Sequence, residues 1–197
     1  MRRNRIWQSI EYTSELLPRR LRVAYGQWIE DMVWDGWNAY YVNFMFRHIP
    51  GLSRHRFAVM KNEVERVYSM VATRVVRKPT SPEHLDNLPR FIGCEDKQVP
   101  KKIKVSLRDV TVNDGSHING VFLFPMKSRL RKHPIDLIGD NKQYYIPEGG
   151  PLLRIHFTPL HVTLTKAADY TFKSIKRGWV KEEDIILLPK SSGEVTQ

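Results

Sequence analysis

The chain has 197 residues, 41% of them hydrophobic, so it can bury a core of its own and wholesale disorder is excluded. Lysine and arginine number 32 against 21 acidic residues, which leaves a net charge of +11. This charge favours a polyanionic partner, with nucleic acid first and an anionic membrane surface second. The single cysteine, Cys94, excludes an intramolecular disulfide and a zinc site of several thiolates.

The sequence contains no sign of a membrane segment. No apolar run approaches the roughly 20 residues that a membrane-spanning helix needs. The basic N-terminus is not followed by the continuous apolar stretch of a signal peptide. We therefore expect a cytoplasmic protein with no membrane partner, and a lone cysteine fits that reducing compartment.

Hydrophobic periodicity predicts an α+β fold with a central antiparallel β-sheet flanked by helices. We expect a helical extension over residues 1–37, a domain over residues 38–189 and a flexible tail over residues 190–197. Within the domain the pattern predicts strands at 39–46, 88–95, 102–112, 116–124, 152–164 and 179–188, and helices at 53–78 and 169–178. For residues 126–150 we expect a long excursion or a small hairpin around Tyr144 and Tyr145.

The helix predicted over residues 169–178 carries Tyr170 and Lys173, which should project from one face because they lie three positions apart. A phenol is a poor nucleophile while protonated, and its ordinary pKa is about 10. A neighbouring ammonium favours the phenolate and attracts phosphate, so the pair suits attack on a phosphodiester. The alternative is a tyrosine packed in the core beside a solvated lysine.

A second group of residues suits a divalent metal ion. Glu95 ends a predicted strand, and His117 and Asn119 occupy alternate positions of another strand, so their side chains share a face. Carboxylate, imidazole and amide ligands favour Mg²⁺ or Mn²⁺ over a thiolate-seeking metal. His156 is an alternative ligand in place of Asn119. Equally, His117 can be a surface residue, and Glu95 can pair on the surface with Arg90 or Lys97.

The order of these features resembles the HUH endonuclease superfamily, which includes rolling-circle replication initiators and relaxases. A hydrophobic strand at 40–46, the stretch His117-Ile-Asn119 in place of His-hydrophobic-His, and Tyr170-x-x-Lys173 match its three motifs in order. The resemblance implies a Rep-like, RRM-related sandwich in which Glu95, His117 and Asn119 hold the metal. It also implies metal-dependent nicking and rejoining of single-stranded DNA through a covalent 5′-phosphotyrosine on Tyr170. Asn119 departs from the pattern, which has histidine there.

The partners implied are single-stranded DNA or hairpin origin DNA of a plasmid, phage or transposon, together with a host helicase or other replication proteins. Six cations are the predicted DNA contacts: Lys127, Arg129, Arg131, Lys132, Lys176 and Arg177. The competing hypothesis is a non-catalytic, basic nucleic-acid-binding module that needs neither the metal nor Tyr170. A structural or regulatory phage protein is a third interpretation.

Overall fold

A computed structural model describes residues 20–97, 112–160, 171–177 and 181–190. The fold is α+β, as the periodicity predicts. Five strands form one antiparallel sheet in the order β4-β1-β3-β2-β5. The strands are β1 (Asn38–Phe46), β2 (Arg90–Lys97), β3 (Ser116–Phe124), β4 (Leu152–Pro159) and β5 (Ile186–Leu188).

The helices are α1 (residues 20–34), α2 (Ser53–Val75), α3 (Pro134–Asp140), α4 (Lys142–Tyr145) and α5 (Lys173–Lys176). Short 3₁₀ turns occupy Pro82–Asn87, Val112–Gly115 and Glu182–Asp184. Among the described helices, none is long and apolar enough to cross a membrane.

Helix α2 covers one face of the sheet with the apolar stripe that its sequence predicts. Its buried side chains are Met60, Val64, Val67, Tyr68, Val71, Ala72 and Val75. They pack against Phe44, Phe91, Ile118 and Phe122 of the sheet in the larger core. The spacing of three and four residues places them on one side of the helix. Of the cations between them, Arg74 is exposed, whereas Arg66 is half-buried and donates to the carbonyl oxygens of Tyr144 and Tyr145.

A smaller core lies on the opposite face of the sheet. Helix α1 contributes Ile29, and the segment around α5 contributes Phe172 and Ile175. These side chains pack on Ile92, Cys94, Val121 and Leu123, which alternate with the residues facing α2. The strands β2 and β3 are therefore buried on both faces, and helix α1 shares a core with them.

The long excursion expected over residues 126–150 is present and contains the helices α3 and α4. The alternative, a hairpin around Tyr144 and Tyr145, is wrong, because both tyrosines end a helical turn at α4. The last predicted strand is confirmed only as the three residues of β5. The strand predicted at 102–112 lies outside the described residues apart from Val112, which is in a 3₁₀ turn.

Two glycines leave room for the Phe91 ring against the middle of the sheet. Gly93 and Gly120 are cross-strand partners, and a Cβ at Gly93 would stand 2.6 Å from the Phe91 ring. A Cβ at Gly120 would also stand 2.7 Å from the carbonyl oxygen of Ile92. Both contacts are far below van der Waals distance, so the two positions exclude a side chain.

We predict that Gly120→Ala lowers the free energy of unfolding by about 1–3 kcal/mol, because the added methyl overpacks the core. Urea unfolding at neutral pH measures this. Gly139→Ala is the matched control: nothing lies within 4 Å of its added Cβ, and it sits inside α3. The control should be neutral or stabilising by up to about 1 kcal/mol. Equal effects of the two substitutions would contradict the packing argument.

Candidate active site

The polar centre of the smaller-core face is the carboxylate of Asp96. The Asp96 side chain is fully buried, although it is charged. Oδ2 accepts hydrogen bonds from the Asn119 amide nitrogen at 2.8 Å and from the Lys173 ammonium at 2.6 Å. Oδ1 accepts from the Ser174 hydroxyl at 2.5 Å. The carboxylate thus connects β2, β3 and α5. We call Asp96, His117, Asn119, Lys173 and Ser174 the Asp96 cluster.

His117 points its Nε2 atom at the same carboxylate. Asp96 and His117 are cross-strand partners in the antiparallel register, and Nε2 lies 3.5 Å from Asp96 Oδ2. The other ring nitrogen, Nδ1, lies 3.0 Å from the Gly115 carbonyl oxygen. A carbonyl only accepts, so Nδ1 carries a proton and Nε2 is left facing the Asp96 carboxylate. Nε2 donates to that carboxylate when the ring is protonated and can share a cation with it when the ring is neutral.

The turn before β3 sets this orientation of His117. Asn113, Asp114 and Gly115 all have left-handed backbone angles, with φ of 55°, 56° and 75°. Asn and Asp tolerate that region better than other side chains, and Gly does so freely. The Asn113 side chain also accepts from Ile49 N–H at 2.8 Å and donates to the Arg47 carbonyl at 2.9 Å. The turn is thereby attached to the end of β1.

Asn119 connects Asp96 to β1 through hydrogen bonds. Its amide oxygen accepts from the Asn43 amide nitrogen at 2.6 Å, and its own nitrogen donates to Asp96. His156 is the cross-strand neighbour of Asn43 on the other side and is exposed. In this orientation the Asn119 amide nitrogen faces the cluster as a hydrogen-bond donor. Asn119 therefore positions Asp96, and its oxygen is not directed at the cluster as a metal ligand. His156 stands two strands away from Asn119.

The ionisation of Asp96 depends on these neighbours. Burial by itself raises the pKa of the carboxyl group, but hydrogen bonds with His117, Lys173 and Ser174 outweigh burial and lower the pKa to about 2. Asp96 is therefore an anion at neutral pH. The pKa of the nearby Cys94 thiol shifts in the opposite direction. Burial, with Asp96 and Glu95 close by, raises its pKa to about 12, so it remains a neutral thiol.

Cys94 also holds the segment that precedes α5. Its thiol donates to the Thr171 carbonyl at 3.2 Å, and Phe172 packs in the smaller core with its ring 5.4 Å from that of Tyr25. These contacts place the start of α5 against β2, so Lys173 reaches Asp96. Tyr170, the residue before Thr171 in the sequence, lies outside the described residues.

The expected grouping of Glu95 with His117 and Asn119 needs correction. Glu95 pairs with Ile118, and its side chain shares the α2-facing side of β2 with Phe91 and Gly93. His117 and Asn119 lie on the other face, where Asp96 is the acidic residue. The sequence placed the end of β2 at Glu95, whereas the strand continues to Lys97. Ser174 and Asn43 were also missed; the only signal for Asn43 was one polar residue inside an apolar strand.

The predicted DNA-contacting cations fall in two places. Arg177 is exposed directly after α5, and Lys176 ends that helix, although its side chain lies outside what the structure describes. Lys127, Arg129, Arg131 and Lys132 follow the far end of β3. His117 is near the start of β3, and the seven residue steps to Phe124 span roughly 23 Å at the rise of an extended strand. The structure therefore does not bring this segment to the Asp96 cluster.

A divalent ion would find two protein donors in the Asp96 cluster. Among the described residues, no group of three or more His, Cys, Asp or Glu side chains is arranged to hold a metal. Mg²⁺ usually takes one or two carboxylates and completes its shell with water and substrate phosphates. Asp96 and Nε2 of His117 would be the protein ligands of such an ion, and the Gly115 carbonyl orients His117 as acceptors commonly orient metal-binding histidines. Lys173 and Asn119 already contact Asp96 Oδ2, so an ion would have to displace one of them.

Comparisons of the chain with protein-family models, with curated proteins and with solved structures found no match. The similarity to HUH endonucleases therefore stays a prediction that depends on the sequence motifs.

We predict that Asp96→Asn lowers the free energy of unfolding by about 2–4 kcal/mol at neutral pH, because a buried ion pair loses one partner. The ordinary pKa of 3.8 falls to about 2 on folding, so this stabilisation is present above pH 3.8 and is lost as the pH falls through 2. Urea unfolding from about pH 6 to about pH 2 should show the wild-type advantage shrinking below the ordinary pKa.

Glu95→Gln is the control for this experiment. It removes the same charge from the adjacent residue, whose side chain faces the other side of the sheet. We expect it to cost less than about 1 kcal/mol. A difference between Asp96→Asn and wild type that stayed constant with pH would show that the ionised carboxylate is not the stabilising group.

Proposed function

We propose that the protein cleaves and rejoins single-stranded DNA through a covalent phosphotyrosine at Tyr170. One observation carries this proposal. Lys173, the lysine of the Tyr-x-x-Lys motif, lies 2.6 Å from Asp96 Oδ2, in the same cluster as His117 and Asn119 of the other predicted motif. Two motifs that are far apart in the sequence meet at one place on the sheet, as a shared reaction requires.

The proposed reaction is a transesterification in two halves. The phenolic oxygen of Tyr170 attacks the phosphorus, the P–O3′ bond breaks, and a 5′-phosphotyrosine and a free 3′-hydroxyl result. The phenolic proton goes to water, and the leaving 3′ oxygen takes a proton from water. Since one phosphodiester replaces another, the step needs no nucleotide cofactor, and attack by a 3′-hydroxyl reverses it.

The chain's own residues have distinct parts in this proposal. The Lys173 side chain is about one-quarter exposed and its ammonium lies 2.6 Å from Asp96, so in this proposal the ammonium contacts a phosphate that reaches the edge of the cluster. Asp96 and His117 would hold Mg²⁺ or Mn²⁺, which supplies charge stabilisation on the phosphate oxygens when bound. Asn119 and Ser174 orient the carboxylate through their hydrogen bonds. Arg177, exposed one residue beyond α5, extends the positive surface.

A second function is favoured by a different feature of the same cluster. Asp96 already has an ammonium, a hydroxyl and an amide as partners, so the cluster can act as an internal brace that attaches α5 to the sheet. In that case the protein is a basic nucleic-acid-binding module without catalysis. Both functions place the protein in the cytoplasm with nucleic acid as its partner, and a replication helicase is a further partner of the first.

We predict that wild-type protein forms a denaturation-resistant adduct with a randomised pool of single-stranded oligonucleotides in Mn²⁺, and that chelator abolishes it. A 5′-phosphotyrosine retains the downstream fragment, so a label at the 3′ end should migrate with the protein on a denaturing gel. A label at the 5′ end should not. Adduct carrying the 5′ label would contradict the proposed polarity.

Substitutions in the motif separate the nucleophile from its neighbour. Tyr170→Phe should abolish the adduct and leave oligonucleotide binding nearly unchanged. Lys173→Gln should slow adduct formation by roughly a hundredfold, the usual effect of removing one group that stabilises transition-state charge. Persistence of the adduct in Tyr170→Phe would show that another residue is the nucleophile. Binding without any adduct in the wild type would establish the binding module.

We also predict that Mn²⁺ binding, measured by calorimetry without DNA, weakens at least about tenfold in Asp96→Asn and in His117→Ala. Glu95→Gln should bind Mn²⁺ like the wild type, because its carboxylate lies on the other face of the sheet. Loss of binding in Glu95→Gln alone would restore Glu95 as the ligand and contradict the assignment to Asp96.

A further inference from the structure

A cationic cavity lies far from the Asp96 cluster, at the C-terminal end of α2. Its volume is about 250 Å³, and four of its lining side chains are the cations Arg74, Arg129, Arg131 and Lys132. Arg74 comes from the last turn of α2, and the other three come from the loop between β3 and α3. We call this feature the Arg129 cavity. The sequence pattern identified the loop cations but not Arg74.

The loop that carries these cations is anchored to the core. Arg129 N–H donates to the Val75 carbonyl at 3.0 Å, at the point where α2 ends. Leu130 N–H donates to the Ser128 hydroxyl at 3.0 Å, and the Leu130 side chain packs against the larger core. Leu137 of α3 is buried below it. The backbone at this position is therefore held in one shape, which reduces the entropy cost of ordering it around a ligand.

The charges around the cavity are only partly compensated. Lys132 pairs with Asp140 at 2.5 Å on the surface, and Asp136 is also close to it. Across the described residues, Arg129 and Arg131 have no carboxylate within salt-bridge distance. Arginine forks suit bidentate contacts with phosphate oxygens. An anion entering the cavity would offset a repulsion between like charges that the protein alone leaves in place.

The position of the cavity separates it from the Asp96 cluster. Helix α2 covers the face of the sheet that carries Ile118 and Phe122, whereas His117 and Asp96 lie on the opposite face. The two sites also adjoin opposite ends of β3. A group bound at the Asp96 cluster is therefore not in contact with the cavity, and a ligand in the cavity contacts none of the cluster residues.

We propose that the Arg129 cavity is a separate site for the phosphate backbone of double-stranded DNA. None of the described residues that line it is aromatic, so the cavity offers no platform for stacking unpaired bases. Its cations instead meet the group that a duplex exposes, the phosphate. This inference extends beyond strand cleavage, because it requires neither the metal nor Tyr170.

The test compares two double variants that lose the same net charge. Arg129→Gln with Arg131→Gln removes two cations from the cavity, and Arg54→Gln with Lys181→Gln removes two exposed cations elsewhere. Fluorescence anisotropy in chelator, so that no cleavage occurs, measures binding of a blunt hairpin duplex and of an unstructured single strand. Salt is varied from about 50 mM to about 200 mM, where phosphate contacts have their largest effect.

We expect the cavity variant to bind the duplex about tenfold more weakly, with a salt dependence reduced by about one to two released counterions. The single strand should lose less than about threefold, and the control variant should resemble the wild type on both ligands. Equal losses in the two variants, or a larger loss for the single strand, would overturn the proposal. Failure of the wild-type protein to bind the duplex would overturn the proposal as well.

A parallel measurement with anionic phosphatidylserine vesicles tests whether the cavity binds a membrane surface instead of DNA. A loss of vesicle binding in the cavity variant, with duplex binding retained, would overturn the assignment to DNA. The result is independent of strand cleavage, because a failure to form the Tyr170 adduct leaves the duplex measurement unaffected.

Discussion

The contact on which this face of the molecule depends is the burial of one carboxylate, Asp96, beside the Lys173 ammonium. A buried charge is costly unless it is paired and its remaining lone pairs are satisfied. Here a hydroxyl and an amide complete the set, so the short helix α5 is held to the sheet by electrostatics as well as by Phe172 and Ile175. The proposed reactive site would use the same atoms that attach the helix to the sheet.

The same cluster therefore underlies both proposed functions. The brace holds the Lys173 ammonium on Asp96, and the Lys173 side chain is about one-quarter exposed. A divalent ion bound at Asp96 would compete with Lys173 for the same carboxylate oxygen. The proposed strand cleavage would therefore need a rearrangement at Asp96, whereas nucleic-acid binding alone would not.

Two groups of cations among the described residues adjoin proposed sites. Arg177 follows α5 beside the Asp96 cluster, and the other group lines the Arg129 cavity. Composition reveals the excess of cations but not where they gather. Arg74 joins the loop cations only because α2 ends beside the loop, where Arg129 N–H reaches the Val75 carbonyl.

Local patterns in the sequence were sufficient for most of the fold. The spacing of apolar residues in α2 and the aromatic content of β1 predict these elements because side-chain direction follows helix and strand geometry. Alternation also places His117 and Asn119 together without any knowledge of neighbours. Residues 144–145 were misassigned, since isolated aromatic residues fit a strand and a short helix equally well.

The sequence by itself determined the element types, the excess of positive charge and the pairing of His117 with Asn119, because each depends on neighbouring residues alone. Only the tertiary structure decided that Asp96 and not Glu95 joins them. Both faces of β2 are buried, so apolar periodicity does not distinguish its two sides, and the register against β3 makes the choice. Only the tertiary structure also decides the partner of Lys173, because the packing of Phe172 and Ile175 positions α5 on the sheet.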